Sequence, residues 1–341
     1  MYLQSLATAF PPHAFTQAEC LETLEASGAM DGLRGRSREL LHKVLTGNSG
    51  IETRRFCEAD LRKTFGFDAG ELHRHFEYHA PRLASEALLN ACDAASLKPS
   101  GIDALLVCTC TGYLCPGLSS YISEILGLRP SAFLQDLLGL GCGAALPLLE
   151  SARGLLAANP QATVATIAVE ISSAAFFLNE EPGVLISLCL FGDGAAAAIW
   201  KGENQGEQLR FQNFRTIHKP EHREKIRFVN AGGRLKNQLH RAVPTLAAEA
   251  VAGLFEMRSC TPDQLIAHTG GRDVIEAIEG AIPSHRLEAT REVLRQYGNI
   301  SSPSVLAALE HSLDCNSSSN NLWLTAFGAG FAAHCGELQR V

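Results

Sequence analysis

Four apolar runs of strand length constrain this chain more than any other feature. They are IDALLVCTCT (102–111), ATVATIAVEIS (162–172), GDGAAAAIW (192–200) and QLIAHTGG (264–271). Between them, residues 80–96, 144–158 and 273–281 carry apolar side chains at helical spacing. Strands alternating with helices predict an α/β fold around a largely buried central sheet. The segment 201–242 changes character and is polar and charge-dense, which places a boundary near residue 203 and divides the chain into 1–203 and 204–341. CNSSSNN at 315–321 reads as an exposed loop.

With 341 residues and 46% hydrophobic content, the chain can bury one large core or two ordinary ones. Composition also narrows the function. Basic residues are scattered under a net charge of −7, so no nucleic-acid partner is expected. No apolar run is long enough to span a membrane. The opening MYLQSLATAFPPHAFTQ lacks the basic-then-apolar pattern of a signal peptide, so a cytoplasmic location is expected. Eleven cysteines then read mostly as small hydrophobes rather than a disulfide framework. Cys108 and Cys110 fall inside a strand run with no fourth ligand near, so no metal is expected.

Three residues stand at junctions between a strand and a helix. Cys142 in LGLGCGAALPLLES follows the strand-like AFLQDL and opens a helix between two glycines. Free N–H groups at a helix start favour thiolate over thiol, so the spacing predicts a lowered cysteine pKa. The glycines predict close approach of a substrate to the backbone. Taken alone, Cys142 reads equally as a small packing residue. His268 ends QLIAH before TGG, where it either faces a cleft or satisfies local backbone. Asn299 precedes a helix that Ser301 or Ser302 could cap, and by itself it also suits an ordinary turn. A Cys–His pair suits nucleophilic chemistry on an acyl group, and an adjacent Asn suggests donors aimed at one oxygen.

These strings together resemble the type III polyketide synthases, the chalcone synthase-like branch of the thiolase superfamily. LGLGCGAALPLLESA resembles the family's nucleophile segment, IAHTGGRDVIEAIE its His-Pro-Gly-Gly segment, and YGNISSPSVLAALE its Gly-Asn-Met-Ser-Ser segment. LFGDGAAAAIW resembles the Phe-Gly-Asp-Gly segment, CTCTGYLCPGLSSYISEILGLRP the cavity-lining strand and loop, and FGAGF (327–331) the terminal glycine-rich loop. Thr269 and Ala329 stand where the family usually has proline, and Cys115 where a methionine often crosses into the partner subunit's cavity.

The resemblance implies a thiolase-like five-layered αβαβα sandwich built from two similar halves, usually dimeric. Cys142 would be acylated by an acyl-CoA. His268 and Asn299 would hold the enolate oxygen formed when malonyl-CoA loses CO2, in one condensation or several, giving a polyketide such as a pyrone or resorcinol. Phe191 would be the gatekeeper aromatic. Cys110, Thr111, Cys115, Ser172, Ala175 and Ser301 would line the cavity. Asp193 is expected to hold a turn rather than complete a triad. No cofactor is implied beyond the CoA thioesters. Arg54, Arg55, Arg62 and Lys63 are candidates, on charge alone, for the CoA phosphates. Two other readings share these residues: a single-condensation β-ketoacyl-ACP synthase III-like enzyme, fed by acyl carrier protein, and a non-catalytic thioester-binding subunit.

Overall fold

The computed structural model describes residues 1–204, 206, 208–315 and 318–341. The first half runs β1 (Tyr2–Ala9), β2 (His13–Thr16), α1 (Gln17–Ala26), α2 (Gly35–Thr46), β3 (Thr53–Phe56), α3 (Leu61–Gly66) and α4 (Ala69–Ala94). It continues through β4 (Ala104–Cys108), α5 (Leu118–Leu126), β5 (Phe133–Leu137), α6 (Ala145–Ala158), β6 (Thr163–Glu170), α7 (Pro182–Leu190) and β7 (Gly194–Lys201). Then come β8 (Leu209–His218), β9 (Ile226–Ala231), β10 (Arg234–Leu239), α8 (Val243–Glu256), β11 (Gln264–Ala267), α9 (Arg272–Ala281), α10 (Glu288–Tyr297), α11 (Ser304–Cys315), β12 (Asn321–Gly328) and β13 (Ala332–Arg340).

The four apolar runs each contain a strand: β4, β6, β7 and β11. They belong to a sheet ordered β11-β12-β13-β8-β1-β7-β6-β4-β5. Its two parts repeat one pattern. β1 pairs antiparallel with β7, β7 antiparallel with β6, and β6 parallel with β4. In the same way β8 pairs antiparallel with β13, β13 antiparallel with β12, and β12 parallel with β11. A single residue pair, Tyr2 opposite Arg210, joins the two parts.

Apolar packing then sets five layers. On one outside face, α4 packs Leu83, Leu88 and Ala91 against Leu105, Ile167 and Ile199. In the middle, α6 and α11 put Leu146, Leu149, Val305 and Leu309 between the two parts, against Ala198 and Leu324. On the other outside face, α8 and α9 pack Val251, Leu254 and Ile278 against Trp323. This is the αβαβα sandwich that the resemblance implied. Among the described residues no helix is long and apolar enough to cross a membrane.

Two local expectations shift. The helix expected over 80–96 begins earlier, at Ala69, because Asp68 and Glu71 form a capping box there. Pro81, near the start of the expected run, lies inside α4. The polar stretch after residue 201 holds β8, which alternates buried and exposed positions between β13 and β1. It also holds the β9–β10 hairpin. Of the loop expected over 315–321, residues 316 and 317 lie outside the described residues, and Ser318 and Asn320 are exposed.

The middle layer sets the site, so truncating it tests the architecture. Leu309 has no exposed surface. Leu309→Ala is expected to lower stability by about 2–5 kcal/mol in denaturant titration. Leu309→Met should cost less than about 1.5 kcal/mol.

Candidate active site

Cys142 lies in a tight 3-10 turn, Gly141–Gly143, just before α6. The flanking glycines serve packing between the two halves, and Gly141 also lines the cavity beside Cys142. Gly141 has φ +59°, and a Cβ there would lie 2.9 Å from the Ala329 nitrogen. A Cβ on Gly143 would lie 3.0 Å from the Phe327 carbonyl carbon. From the other side, a Cβ on Gly328 would lie 2.3 Å from the Leu140 oxygen and 2.5 Å from the Gly143 nitrogen. The end of β12 thus rests backbone to backbone on the turn that carries the thiol.

His268 follows β11, and its backbone N–H continues the parallel ladder by donating to the Thr325 carbonyl at 2.8 Å. Its ring packs edge-on against Phe327, and its Nδ1 is buried without a hydrogen-bond partner among the described residues. Asn299 is held from three sides. Its N–H donates to the Leu190 carbonyl, its carbonyl accepts from Gly192 N–H, and its Oδ1 accepts from Ser301 N–H at 2.8 Å. One Nδ2 hydrogen goes to the Gly270 carbonyl at 3.2 Å, so the second is free to donate.

Ser301 lies just before α11, and its carbonyl accepts from Ser304 N–H. It holds a left-handed backbone, φ +58°, of the kind that carries strain at functional sites. Its hydroxyl lies 3.2 Å from the Cys142 sulfur, 3.3 Å from the Cys110 sulfur and 3.3 Å from Glu170 Oε1. Glu170 is fully buried. It accepts from the hydroxyls of Thr109, Thr111 and Ser302 and from the backbone N–H groups of Cys110 and Thr111.

Cys142, His268, Asn299 and Phe191 line one cavity of about 590 Å3. Its other walls bring together Lys43, Arg227, Arg241 and Arg272. Burial governs the electrostatics here. It pushes the Cys142 thiol up to about 12, against the lowering pull of the Ser301 hydroxyl, and Glu170 adds to the rise. It pushes His268 down to about 3, against a weaker hydrogen bond to the Ser301 backbone. The lowered thiol pKa expected from the helix start is therefore reversed: the resting site holds a neutral thiol and a neutral imidazole.

Family models now decide the ancestry. The N-terminal domain of chalcone and stilbene synthases matches residues 71–203, and their C-terminal domain matches 234–332. The chain belongs to the chalcone and stilbene synthase family. It is a type III polyketide synthase, an acyltransferase of thiolase-like fold. It is 25% identical to phloroglucinol synthase of Pseudomonas fluorescens, over 95% of each chain. It is 29% identical to 1,3,6,8-tetrahydroxynaphthalene synthase of Streptomyces peucetius, over 96% of this chain and 89% of that protein. The crystal structure of PKS-I from the brown alga Ectocarpus siliculosus superposes with a TM-score of 0.89 at 23% identity, covering 100% of this chain and 98% of that one.

In this synthase the remaining sequence candidates divide. Thr111, Ser172 and Ala175 share a small pocket with Phe191, Phe228 and Asn237. Cys110 lines a second cavity of about 630 Å3, which meets the first at Gly141, Arg227, Phe228 and Ala329. Cys115 is exposed and lines neither. Asp193 ties distant segments together instead of holding the turn expected of it: its carboxylate accepts from the N–H and hydroxyl of Ser173 and from Cys57 N–H. Burial raises it to about 6.

The four basic candidates do not line the large cavity. Arg54 is buried against backbone carbonyls. Arg55 donates to the Pro11 carbonyl, Arg62 pairs with Asp60, and Lys63 lies 4.0 Å from Glu58. The cations that do line it are Lys43, Arg227, Arg241 and Arg272, from four separate stretches of sequence. Glu170 was also missed, although a lone acid in the apolar run ATVATIAVEIS was its signal. Among the described residues no cluster of His, Cys, Asp and Glu is placed to hold a metal ion.

Two glycines give opposite expectations. Gly328→Ala forces the Cys142 turn to shift, and should cost about 1–3 kcal/mol. It should also slow acylation of Cys142 by at least about tenfold, read by intact-protein mass spectrometry. Gly154→Ala, on α6 with nothing within 4 Å, should stabilise by up to about 1 kcal/mol and leave acylation unchanged.

Proposed function

We propose that this synthase loads an acyl group from acyl-CoA onto Cys142 and extends it with malonyl-CoA by decarboxylative Claisen condensation. One observation carries the reading. A single cavity joins the Cys142 sulfur, a buried imidazole and a carboxamide with one unspent N–H, and the same cavity is lined by cations suited to phosphates.

The steps follow from the charge states. As the sulfur attacks the thioester, neutral His268 takes the thiol proton. The new bond is sulfur to acyl carbon, the broken one is acyl carbon to CoA sulfur, and CoA leaves as its thiol with that proton. Malonyl-CoA then loses CO2, and the electron pair of the broken C–C bond passes into an enolate. Its oxygen receives hydrogen bonds from Asn299 Nδ2 and His268. The enolate carbon attacks the acyl thioester, and Cys142 departs as the leaving group. Decarboxylation supplies the carbanion, so the scheme uses no cofactor. Neutral donors suit an oxyanion that exists only during the reaction.

Phe191 stands at the junction of the large cavity and the small pocket, where a gate would exclude water. Lys43, Arg241 and Arg272 take over the phosphate role first given to Arg54, Arg55, Arg62 and Lys63. The relatives named for phloroglucinol and tetrahydroxynaphthalene support repeated extension and an aromatic product, of the resorcinol or pyrone kind. We take 1–203 as the half with the nucleophile and 204–341 as the half with His268 and Asn299, working in the cytoplasm. A homodimer is supported by the sheet-edge strand β5, which leaves Phe133 50% exposed at its start, and by Leu138 (40% exposed) just past its end, which shares a cavity with Tyr113 (64% exposed).

Mass spectrometry of Cys142 after an acyl-CoA panel, then malonyl-CoA, tests this directly. The expected result is an acyl adduct followed by products carrying several malonyl-derived units. Cys142→Ala should abolish the adduct. Asn299→Ala should keep it while slowing decarboxylation about 10²–10³-fold. Products with one malonyl unit, or dependence on acyl carrier protein, would instead support the single-condensation enzyme. No adduct with any thioester would support a non-catalytic subunit.

A further inference from the structure

Arg54 is only 2% exposed, and its guanidinium is held by the end of α7 beside Phe191 and by Gln17. Its Nη1 donates to the carbonyls of Leu188 at 2.7 Å and Phe191 at 2.9 Å. These carbonyls end α7, the negative pole of that helix, where a cation is favoured. Its Nε donates to Gln17 Oε1 at 2.9 Å, and Gln17 Nε2 in turn grips the Cys189 carbonyl at 3.0 Å. The guanidinium lies 5.2 Å from the Phe56 ring centre.

Phe191 is also where the two halves join near the cavity. It forms an isolated parallel bridge with Asn299, through Asn299 N–H to Leu190 O at 2.8 Å and Gly192 N–H to Asn299 O at 3.0 Å. The Arg54 stem reaches the Asn299 side as well. A Cβ on Gly298 would lie 2.8 Å from Arg54 Cγ and 2.6 Å from Leu190 O. One buried side chain therefore holds the Phe191 carbonyl and lies against Gly298, the residue before Asn299, and the bridge carries both the gate aromatic and the donor amide.

We propose that Arg54 is a positioning residue for the condensation step: it locks Phe191 and Asn299 as one unit and so aims the carboxamide and closes the gate. The proposal rests on the reading of the site given above. It assigns Arg54 to carbon–carbon bond formation and not to the CoA phosphates. Loading of Cys142 uses neither the Asn299 amide nor a closed gate, so loading and condensation should separate when the clamp is removed.

The test uses the full chain with Arg54→Met, which keeps the stem and removes the donors, and Arg54→Lys, which keeps the charge. Three quantities are read with an acyl-CoA and malonyl-CoA: the Cys142 acyl adduct, kcat and KM for condensation, and free acid from hydrolysis of the adduct. For Arg54→Met, loading rate and acyl-CoA KM should stay within about threefold, while condensation kcat falls about 30-fold or more and free acid rises. Arg54→Lys should recover to within about fivefold of wild type.

A rise in KM alone, equal losses in loading and condensation, or unchanged condensation would each overturn the proposal. If Arg54→Met does not fold, Gln17→Leu removes the Nε partner and the grip on Cys189. It should give a smaller loss of kcat, about three- to tenfold, at constant KM. Wild-type rates in that variant would overturn the clamp. Wild-type protein that neither loads nor decarboxylates would sink the reading of the site itself, and this proposal with it.

Discussion

The site depends on one close contact: the Leu140–Gly143 turn lying against the end of β12, with no side chain between the two backbones. β12 is also the strand that places the imidazole, since His268 N–H bonds to Thr325 and the His268 ring packs on Phe327. Sulfur and imidazole are therefore referenced to the same eight-residue strand. A change in how the halves dock moves the turn and the strand together. That is why bare backbone surrounds a reactive cysteine here. Gly141, Gly143 and Gly328 are the conditions for contact, and a single methyl group at the tightest of them has no room.

Burial of this kind makes charge expensive. The wall around Cys142 supplies hydroxyls, amides and one carboxylate, and the same cavity is also lined by cations. Desolvation acts on thiol and imidazole in opposite directions, and both end uncharged. Glu170 adds to the rise at the thiol and is itself bound by serine and threonine hydroxyls. Ser301 mediates between them, with its hydroxyl near sulfur and carboxylate and its strained backbone bonded to the Asn299 side chain. Charge then appears at the sulfur only as a substrate arrives to take it up. A neutral resting pair and neutral oxyanion donors are two consequences of the same dry environment.

Much of this was legible in the sequence, for a physical reason. Cys142, His268 and Asn299 each sit where a buried strand or turn gives way to a helix, so short strings of glycine and apolar residues marked them. The apolar runs marked β4, β6, β7 and β11 because strands covered on both faces need no polar face, and this holds even for β11 at the sheet edge. What stayed hidden was whatever depends on distant parts of the chain. Lys43 comes from α2, Arg241 from the approach to α8 and Arg272 from α9, and only folding puts them on one cavity. Arg54 reads by charge as a phosphate ligand because the backbone carbonyls that hold it leave no mark in sequence. The start of α4 lay upstream of the apolar spacing read at 80–96, and β8 was masked by the polarity of its exposed face.

The repeated strand order gives the catalytic arrangement its logic. α6 precedes β6 in one half as α11 precedes β12 in the other, and both helices lie in the shared middle layer. The residues just before these helices meet, as the Ser301 hydroxyl 3.2 Å from the Cys142 sulfur shows. Two helix N-termini thus converge on one point, and each brings free N–H groups and a positive dipole end. Such a point favours developing negative charge without the desolvation cost of a buried cation. Sequence then divides the labour between the two approaches: Cys142 stands before α6 and Ser301 at the matching distance before α11. One half brings a sulfur, the other a carboxamide two residues before Ser301, and the Phe191–Asn299 bridge ties that carboxamide's backbone to the first half. A nucleophile that becomes anionic and an enolate that follows it in time can use the same polarised ground in turn, because neither charge persists while the other forms.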